Sequence, residues 1–531
     1  MAKSSRVKPK VSFLDAYLEG RLGSFFSLAP SETQAALARQ RASPRPELAS
    51  ALGRYARKLG APEEAVASIG RLEQPGSRAV VTGQQPGLLL GPIYTLSKAV
   101  TAVRLAQRLS SEDRPVVPVF WLASQDHDSA EIDHAYLLDV EERLLRPSLP
   151  FPEGQPSGRV AFTPEWQDSL EAQLLEARTP TVYRDEVLAL LREAAALSDT
   201  VADVFGALLY RLLGSQGLVV LNPLEPDVAP LFGKVLAREL EQPLESSRRI
   251  NAAGESLSAL GYAPQLGRAP GATNLFLEQR KDGQPRRELL HADVDGFYTS
   301  SGRYTSRYSK GELAELLRDE PARITPAAGL RPITQDAVLP TALLVVGPGE
   351  LRYFAQLREV YALHEVAMPL VWPRATATLV EPPIRRILDK YGLTVDEVQR
   401  RPDASSQRVL LDLHGHGEVV TRCLAEMDEA VAGLLEHLGA VDPTLKRSIR
   451  RTDERLRLGV ERLRSKAAAA IAKQDEITSR QLGRLERHLL PGGQPQERVL
   501  SPFSPFLKFG VRHVMARLLS LEPEGEQVLD L

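Results

Sequence analysis

Apolar and polar positions change their rhythm three times along this chain. From Val11 to Gly76, side chains such as Leu37, Tyr55 and Leu59 recur at helical spacing between Pro and Gly interruptions, predicting a mostly helical N-terminal segment over residues 1–77. At Arg78 the texture turns to short unbroken apolar runs: Ala79–Thr82, Val116–Leu122, Gly217–Asn222, Leu343–Gly347 and Pro369–Pro373. Runs of this length, closed by turn residues, suit strands buried on both faces. Helical patterns separate them, notably Pro92–Leu109 and about Glu350–His364. The alternation predicts an α/β fold with a doubly wound parallel-sheet core over residues 78–380. Two insertions interrupt that core and are expected to wall a cleft. One, near 141–197, is helical in its second half; the other, near 244–325, holds a predicted strand at Asn274–Glu278.

After Pro383 the chain becomes rich in Arg, Leu, Glu and Ala. Val420, Cys423, Met427, Ala430, Leu434, His437 and Val441 alternate steps of three and four. So do Val460, Leu463, Ala467, Ala470, Gln474, Ile477 and Gln481. Between the series, Asp442 is placed as an N-cap with Pro443 at the first helical position. Residues 381–490 therefore read as a helical hairpin packed as an antiparallel coiled coil, with Cys423 in the seam and Gln474 and Gln481 able to set register. The aromatic-rich tail, residues 491–531, is expected to return to the core.

Composition narrows the class without naming it. With 66 Lys+Arg against 68 Asp+Glu, the net charge of −2 provides no field to recruit nucleic acid or an anionic membrane. No apolar run approaches the ~18 residues of a spanning helix. The basic start, MAKSSRVKPKVSF, lacks the apolar region of a secretory leader. The single cysteine, Cys423, excludes an internal disulfide and a cysteine-rich metal site, so the expectation is a cytoplasmic protein.

Chemistry concentrates at three strand ends. The first is Thr82–Lys98, TGQQPGLLLGPIYTLSK, a glycine-rich turn between a strand and a helix, where free amides and the helix dipole attract anions. It matches neither the dinucleotide fingerprint nor the P-loop. Gln84 and Gln85 lie in it, and Tyr94 and Lys98 share one face of the following helix. The second follows Val116–Leu122: Asp126, His127 and Asp128 are consecutive, with Glu131, Asp133 and His134 close behind. These residues suit acid–base work, recognition of an amine, or a metal-dependent hydrolase built on Asp126, His127, Asp128 and His134. No metal is expected, because neighbouring residues lack the distant ligand that convergence on one ion needs. The bland alternative is a capping box, Asp128 with Glu131. The third comprises Arg331, Gln335 and Asp336, then Gly347, Gly349, Glu350, Tyr353 and Gln356, with Arg331 a natural fork for a carboxylate or phosphate. Two Gly-Pro turns at strand ends of one sheet predict a single cleft lined from both sides. A non-catalytic coiled-coil scaffold is the remaining alternative.

Five stretches together, VVTGQQPGLLLGPIYTLSKA, PVVPVFWLASQDHDSAEIDH, GYAPQLGRAPGATNLFLE, LRPITQDAVLPTALLVVGPGELRYFAQL and LPGGQPQERVLSPFSPFLKFG, resemble the bacillithiol biosynthesis cysteine-adding enzymes, in the family's order from about residue 79 onward. The resemblance implies a Rossmann-like parallel-sheet core with two inserted connecting-peptide subdomains and a C-terminal α-helical antiparallel coiled coil that supports a homodimer. It also implies a ligase that joins the carboxyl of cysteine to the amine of glucosaminyl-malate, giving bacillithiol. The core is similar to class I nucleotidyltransferases, yet Gly91-Pro-Ile-Tyr94 stands where their His-x-Gly-His lies, and their Lys-Met-Ser-Lys-Ser loop is missing. The activating donor is left open: ATP, another carboxyl-activating cosubstrate, or a partner protein that supplies one. On this reading Asp126, His127, Asp128 and Lys98 are the catalytic candidates. Gln84, Gln85, Tyr94, Arg331, Gln335, Asp336, Gly347, Gly349, Glu350, Tyr353 and Gln356 are the substrate-binding candidates.

Overall fold

A computed structural model describes residues 11–41, 43–177, 181–281, 283–301 and 304–531. Most of the basic N-terminal stretch therefore lies outside the described residues, as do a few positions within the N-terminal segment and the two insertions. The chain forms two compact units. One comprises Met1–Glu141 (described from residue 11), Leu145–Ala377 and Leu500–Gln527; the other comprises Glu142–Leu144, Thr378–Val499 and Val528–Leu531.

In the first unit the strands are, in chain order, β1 (Arg78–Gln84), β2 (Val116–Leu122), β3 (Val219–Leu221), β4 (Ala272–Lys281), β5 (Gln284–Asp293), β6 (Gly296–Ser301), β7 (Tyr304–Tyr308), β8 (Ile324–Pro326), β9 (Thr341–Val346) and β10 (Leu370–Pro373). Five of them build a parallel sheet in the order β10-β9-β1-β2-β3. Every residue of β2 and β9 is buried, as unbroken apolar runs require when helices cover both faces. The strand order reverses direction between β1 and β9. Such a reversal is the switch point beside whose strand ends doubly wound sheets form their ligand-binding crevice.

Glycine is needed at one point of this sheet. A Cβ on Gly83 would lie 2.8 Å from the Trp121 carbonyl oxygen of the neighbouring strand. The turn that follows is strained: Leu89 and Leu90, both buried, have φ of 50° and 67°. It is pinned by the C-terminal segment of the same unit. Ser501 Oγ donates to the Leu89 carbonyl (2.7 Å), and the Leu500 carbonyl accepts from the Ile93 amide (2.8 Å).

Several expectations are refined. The helix expected from Glu350 to His364 is two helices, α4 (Pro348–Phe354) and α5 (Arg358–Leu363), following α1 (Tyr94–Leu109), α2 (Ser129–Ile132) and α3 (Arg331–Val338). The single strand expected at Asn274–Glu278 is the centre of β4, which belongs to a second sheet ordered β8-β4-β5-β6-β7. Charged runs such as QPRRELLHAD hid its partners, because a strand with wet positions on both faces carries little period-two signal.

The second unit packs Ile384, Leu388, Val409, Leu410, Ile471 and Leu485 into its own core. Its hairpin is α6 (Gly417–Val441) against α7 (Leu445–Gln474), followed by α8 (Glu476–Leu489). The helix begins at Leu445, so Asp442 does not cap it; its carboxylate accepts from the Thr444 amide inside the turn. Asp475 breaks the series that runs from Val460 to Gln481 and caps α8 through the Thr478 amide.

The seam is also phased differently. Val420, Leu424, Met427, Val431 and Leu435 are half-buried, whereas Cys423, Ala430, Leu434, His437 and Val441 are exposed. On α7 the facing positions include Asp453 and Arg457, and Arg457 pairs with both Asp453 and Asp428. Leu463 and Ile477 are exposed. The expected series therefore mixes seam positions, Val420 and Met427, with positions that face solvent.

Candidate active site

The first wall of the crevice grows from the turns after β1 and β9. Lys98, on α1, is buried, and its ammonium contacts Glu350 Oε2 of α4 at 2.5 Å. It also donates to the Gly83 carbonyl (3.0 Å) and to Gln84 Oε1 (2.9 Å). Gln84 in turn donates to the Tyr94 hydroxyl at 3.3 Å, so Tyr94 and Lys98 act as one cluster, as their spacing on the helix predicts. Glu350 Oε2 also accepts from the Gly347 amide at 2.7 Å, closing the turn after β9 onto itself. Burial works against the Lys98 charge and outweighs Glu350, so its pKa falls below the ordinary lysine value.

Arg331 extends this wall. Its guanidinium donates to Gln335 Oε1 at 3.0 Å and to the Tyr353 hydroxyl at 3.3 Å. Burial opposes the cation, yet Tyr353 and Glu350 keep its pKa above the usual value, while burial pushes Tyr353 up to about 12. Arg374, just past β10, lies beside Gly347 and over the Tyr94 ring. Lys98 and Arg331 thus lie by Glu350 and Arg374 beside Gly347, a grouping of cations suited to an anion. The sequence reading missed Arg374, although its place at the carboxyl end of a strand was a usable signal.

Two candidates on this wall look inward. Asp336 is buried, where Tyr361 donates to it at 2.5 Å and Gln335 at 2.9 Å, and burial raises its pKa. Gln356 is fully buried outside α4: its Oε1 accepts from the Gln265 and Leu266 amides, and its Nε2 donates to the Ile250 and Leu266 carbonyls. The structure does not bring it to Glu350 and Tyr353, because the helix expected to align them ends at Phe354. Gly349 has open space where a side chain would stand.

The second wall follows β2. Gln85, at the end of β1, donates to Asp126 Oδ2 at 2.7 Å, joining the walls. Asp126 Oδ1 accepts from the His127 amide at 2.8 Å and lies 3.9 Å from Arg287 of β5. Burial opposes the Asp126 charge, but Arg287, Gln85 and the His127 amide prevail and hold its pKa below the usual carboxylate value. His127 is pushed below the ordinary histidine value by burial and by Arg287. Asp128 precedes α2, but its side chain makes no capping hydrogen bond, so the expected capping box does not form.

His134 lies elsewhere: its Nδ1 is 2.6 Å from Asp133, beside Arg146. Among the described residues no group of three or more His, Cys, Asp or Glu side chains is arranged to hold a metal ion. Arg287 had no signal in the sequence: it lies in a charged strand, 160 residues from His127. Among the described residues, no helix is long and apolar enough to cross a membrane.

Comparison with known proteins places this geometry. A model described as the bacillithiol biosynthesis BshC N-terminal Rossmann-like domain matches residues 3–375, and one for the C-terminal coiled-coil domain of the same proteins matches residues 377–527. A Thermus thermophilus protein named "Putative cysteine ligase BshC" is 42% identical over 510 residues, covering 94% of this chain and 97% of its own. Proteins of the same name from Salinibacter ruber and Geobacillus thermodenitrificans are each 33% identical. They cover 94% and 87% of this chain, and 92% and 86% of their own.

Proposed function

The chain belongs to the bacillithiol biosynthesis BshC family, and on that premise we propose that it is a cysteine ligase. In this reading it joins the carboxyl group of cysteine to the amine of glucosaminyl-malate, the last step of bacillithiol biosynthesis. The observation that carries the reading is the ion pair of buried Lys98 with Glu350, with Arg331 held beside it by Tyr353, at the point where the strand order reverses. Both substrates bring carboxylates, which a lysine and an arginine at a partly buried site attract.

The roles follow from the contacts. Lys98 and Arg331 hold carboxylates of malate or cysteine, or a phosphate left by activation. Gln84, Gln85 and Tyr94 bond sugar hydroxyls or the amine. Gly347 and Gly349 offer backbone at the rim, and Glu350 and Tyr353 keep the two cations in place. Gln335, Asp336 and Gln356 brace that wall from behind. Asp126, His127 and Asp128 line the wall at which the amine meets the activated carboxyl group. A free carboxylate does not form an amide unaided in water, so ATP, another donor or an activating partner protein supplies the leaving group.

The test incubates purified protein with glucosaminyl-malate and cysteine, with and without ATP, and follows the thiol product by mass spectrometry. Product that depends on Lys98 supports the reading; no product with any donor or with cell extract overturns it.

A homodimer of cytoplasmic protein completes the proposal. Leu434, Leu438 and Val441, at steps of four and three on α6, form an exposed apolar stripe, and a second copy would cover it. Replacing Leu434 and Leu438 by Glu is expected to convert dimer to monomer in sedimentation velocity, with helix content retained. Unchanged mass would rule the stripe out as the interface.

A further inference from the structure

Arg287 is held on nearly every side. Its Nε donates to Thr325 Oγ1 (2.8 Å), its Nη2 to the Pro326 carbonyl (2.7 Å), and its plane lies 4.0 Å from the centre of the Phe276 ring. These contacts aim Nη1 at the loop after β2, 3.4 Å from His127 Nδ1 and 3.9 Å from Asp126 Oδ1. A guanidinium carries donors and no acceptor. The ring nitrogen that faces it is therefore the bare one, and the imidazole proton sits on Nε2.

The charged form of His127 is disfavoured by the same contact. An imidazolium would set N–H against N–H and place a second cation beside a buried one. The groups facing His127 are Arg287 from β5, the Phe276 ring from β4, and Asp126 and Asp128 from its own loop. The two carboxylates favour protonation; burial and Arg287 oppose it and prevail. His127 is about one-third exposed, and among the described residues its Nε2 has no protein partner.

We propose that Arg287 is a positioning residue that locks His127 in the Nε2–H tautomer, so that His127 donates a hydrogen bond to a substrate oxygen and does not take the proton of the attacking amine. The substrate's identity rests on the ligase reading: the oxygen is the carbonyl oxygen of the activated acyl group, whose negative charge grows as the amine adds. His127 keeps its proton throughout: as the C–N bond forms, the bond from the acyl carbon to the activating group breaks, the activating group leaves with that electron pair, and the amine proton passes to water. A positioned donor at such an oxygen is worth about 10²–10³-fold in rate.

Protein labelled with ¹⁵N-histidine, with the His127 signals identified by their loss in His127→Gln, reads the tautomer without any substrate. Near neutral pH the expected spectrum has a bare Nδ1 and a protonated Nε2 that hold as the pH falls below the ordinary histidine range. An Nδ1–H tautomer or an imidazolium overturns the proposal, whatever the ligase assay gives. Arg287→Gln, checked for native helix content, is expected to raise the His127 titration midpoint; an unmoved midpoint overturns the lock.

Activity tests the donor role separately. The amide nitrogen of Gln stands near the position of Nε2 and that of Asn near Nδ1. His127→Gln is therefore expected to retain at least about tenfold more kcat than His127→Asn. Equal losses, or the reverse order, would show that His127 acts in another way.

Discussion

The two walls of the crevice are built in different ways. The wall around Lys98 is made from turns and helices that directly follow strands of the core sheet, and its charges interlock at 2.5–3.3 Å. The wall around His127 is a loop whose geometry is set from outside, by an arginine on an inserted sheet at 3.4–3.9 Å. A site assembled from sequential β-to-α turns announces itself in the sequence. One completed by an insertion does not, because the contact joins segments whose local patterns are independent.

The largest effect is expected at the interlocked wall. Lys98→Met breaks the ion pair with Glu350, a loss of about 3 kcal/mol at most, and should lower product formation by more than about 10²-fold. Adding Glu350→Gln is expected to restore much of the melting temperature but not the activity. Recovery of both would place Lys98 in the fold alone. Arg331→Gln removes charge-assisted hydrogen bonds worth about 1.5–3 kcal/mol each. It is expected to raise KM for the anionic substrate by about 10–100-fold with a smaller change in kcat. A selective loss of kcat would move Arg331 from binding to chemistry.

Backbone packing offers a middle-sized contrast. Gly83→Ala drives a methyl into the Trp121 carbonyl and is expected to cost about 1–3 kcal/mol in chemical denaturation. Gly349→Ala, with open space at that position, should stay within about 0.5 kcal/mol.

The smallest effect belongs to the second wall and depends on pH. The Asp126 carboxyl has a lower pKa in the folded chain than in the unfolded one. Its contribution is thus present above the ordinary carboxylate value of about 3.9 and is lost as the pH falls through the folded value. The melting temperature of Asp126→Asn should lie below that of the native protein at pH 6–7, and the gap should close below about pH 4. A gap independent of pH would mean that Asp126 acts through packing and not through its charge.

How far the site was legible follows from the same contrast. Gln84, Gln85, Tyr94, Lys98, Arg331, Glu350 and Tyr353 fall where strand-end and helical spacing place them, and the structure joins them. Gln356 and Asp336 carried the same signal but turn inward, because α4 stops at Phe354 and because Tyr361 and Gln335 claim the Asp336 carboxylate. In the hairpin, apolar spacing identified two long helices yet mixed seam and exposed positions, since a helix with apolar residues on more than one face offers spacing no means of choosing between them.

Sequence by itself determined the buried strands of the core, their alternation with helices, the turns that bear the first wall and the family to which the chain is similar. These are local properties: runs of apolar side chains, glycine and proline at turns, charges one helical turn apart. Tertiary structure alone decided the reversal between β1 and β9, the grip of Leu500 and Ser501 on a strained turn, the approach of Arg287 to His127 and the phase of the hairpin. Each of these depends on contacts between segments far apart in the chain, and the energy that selects them exists only once both segments are folded.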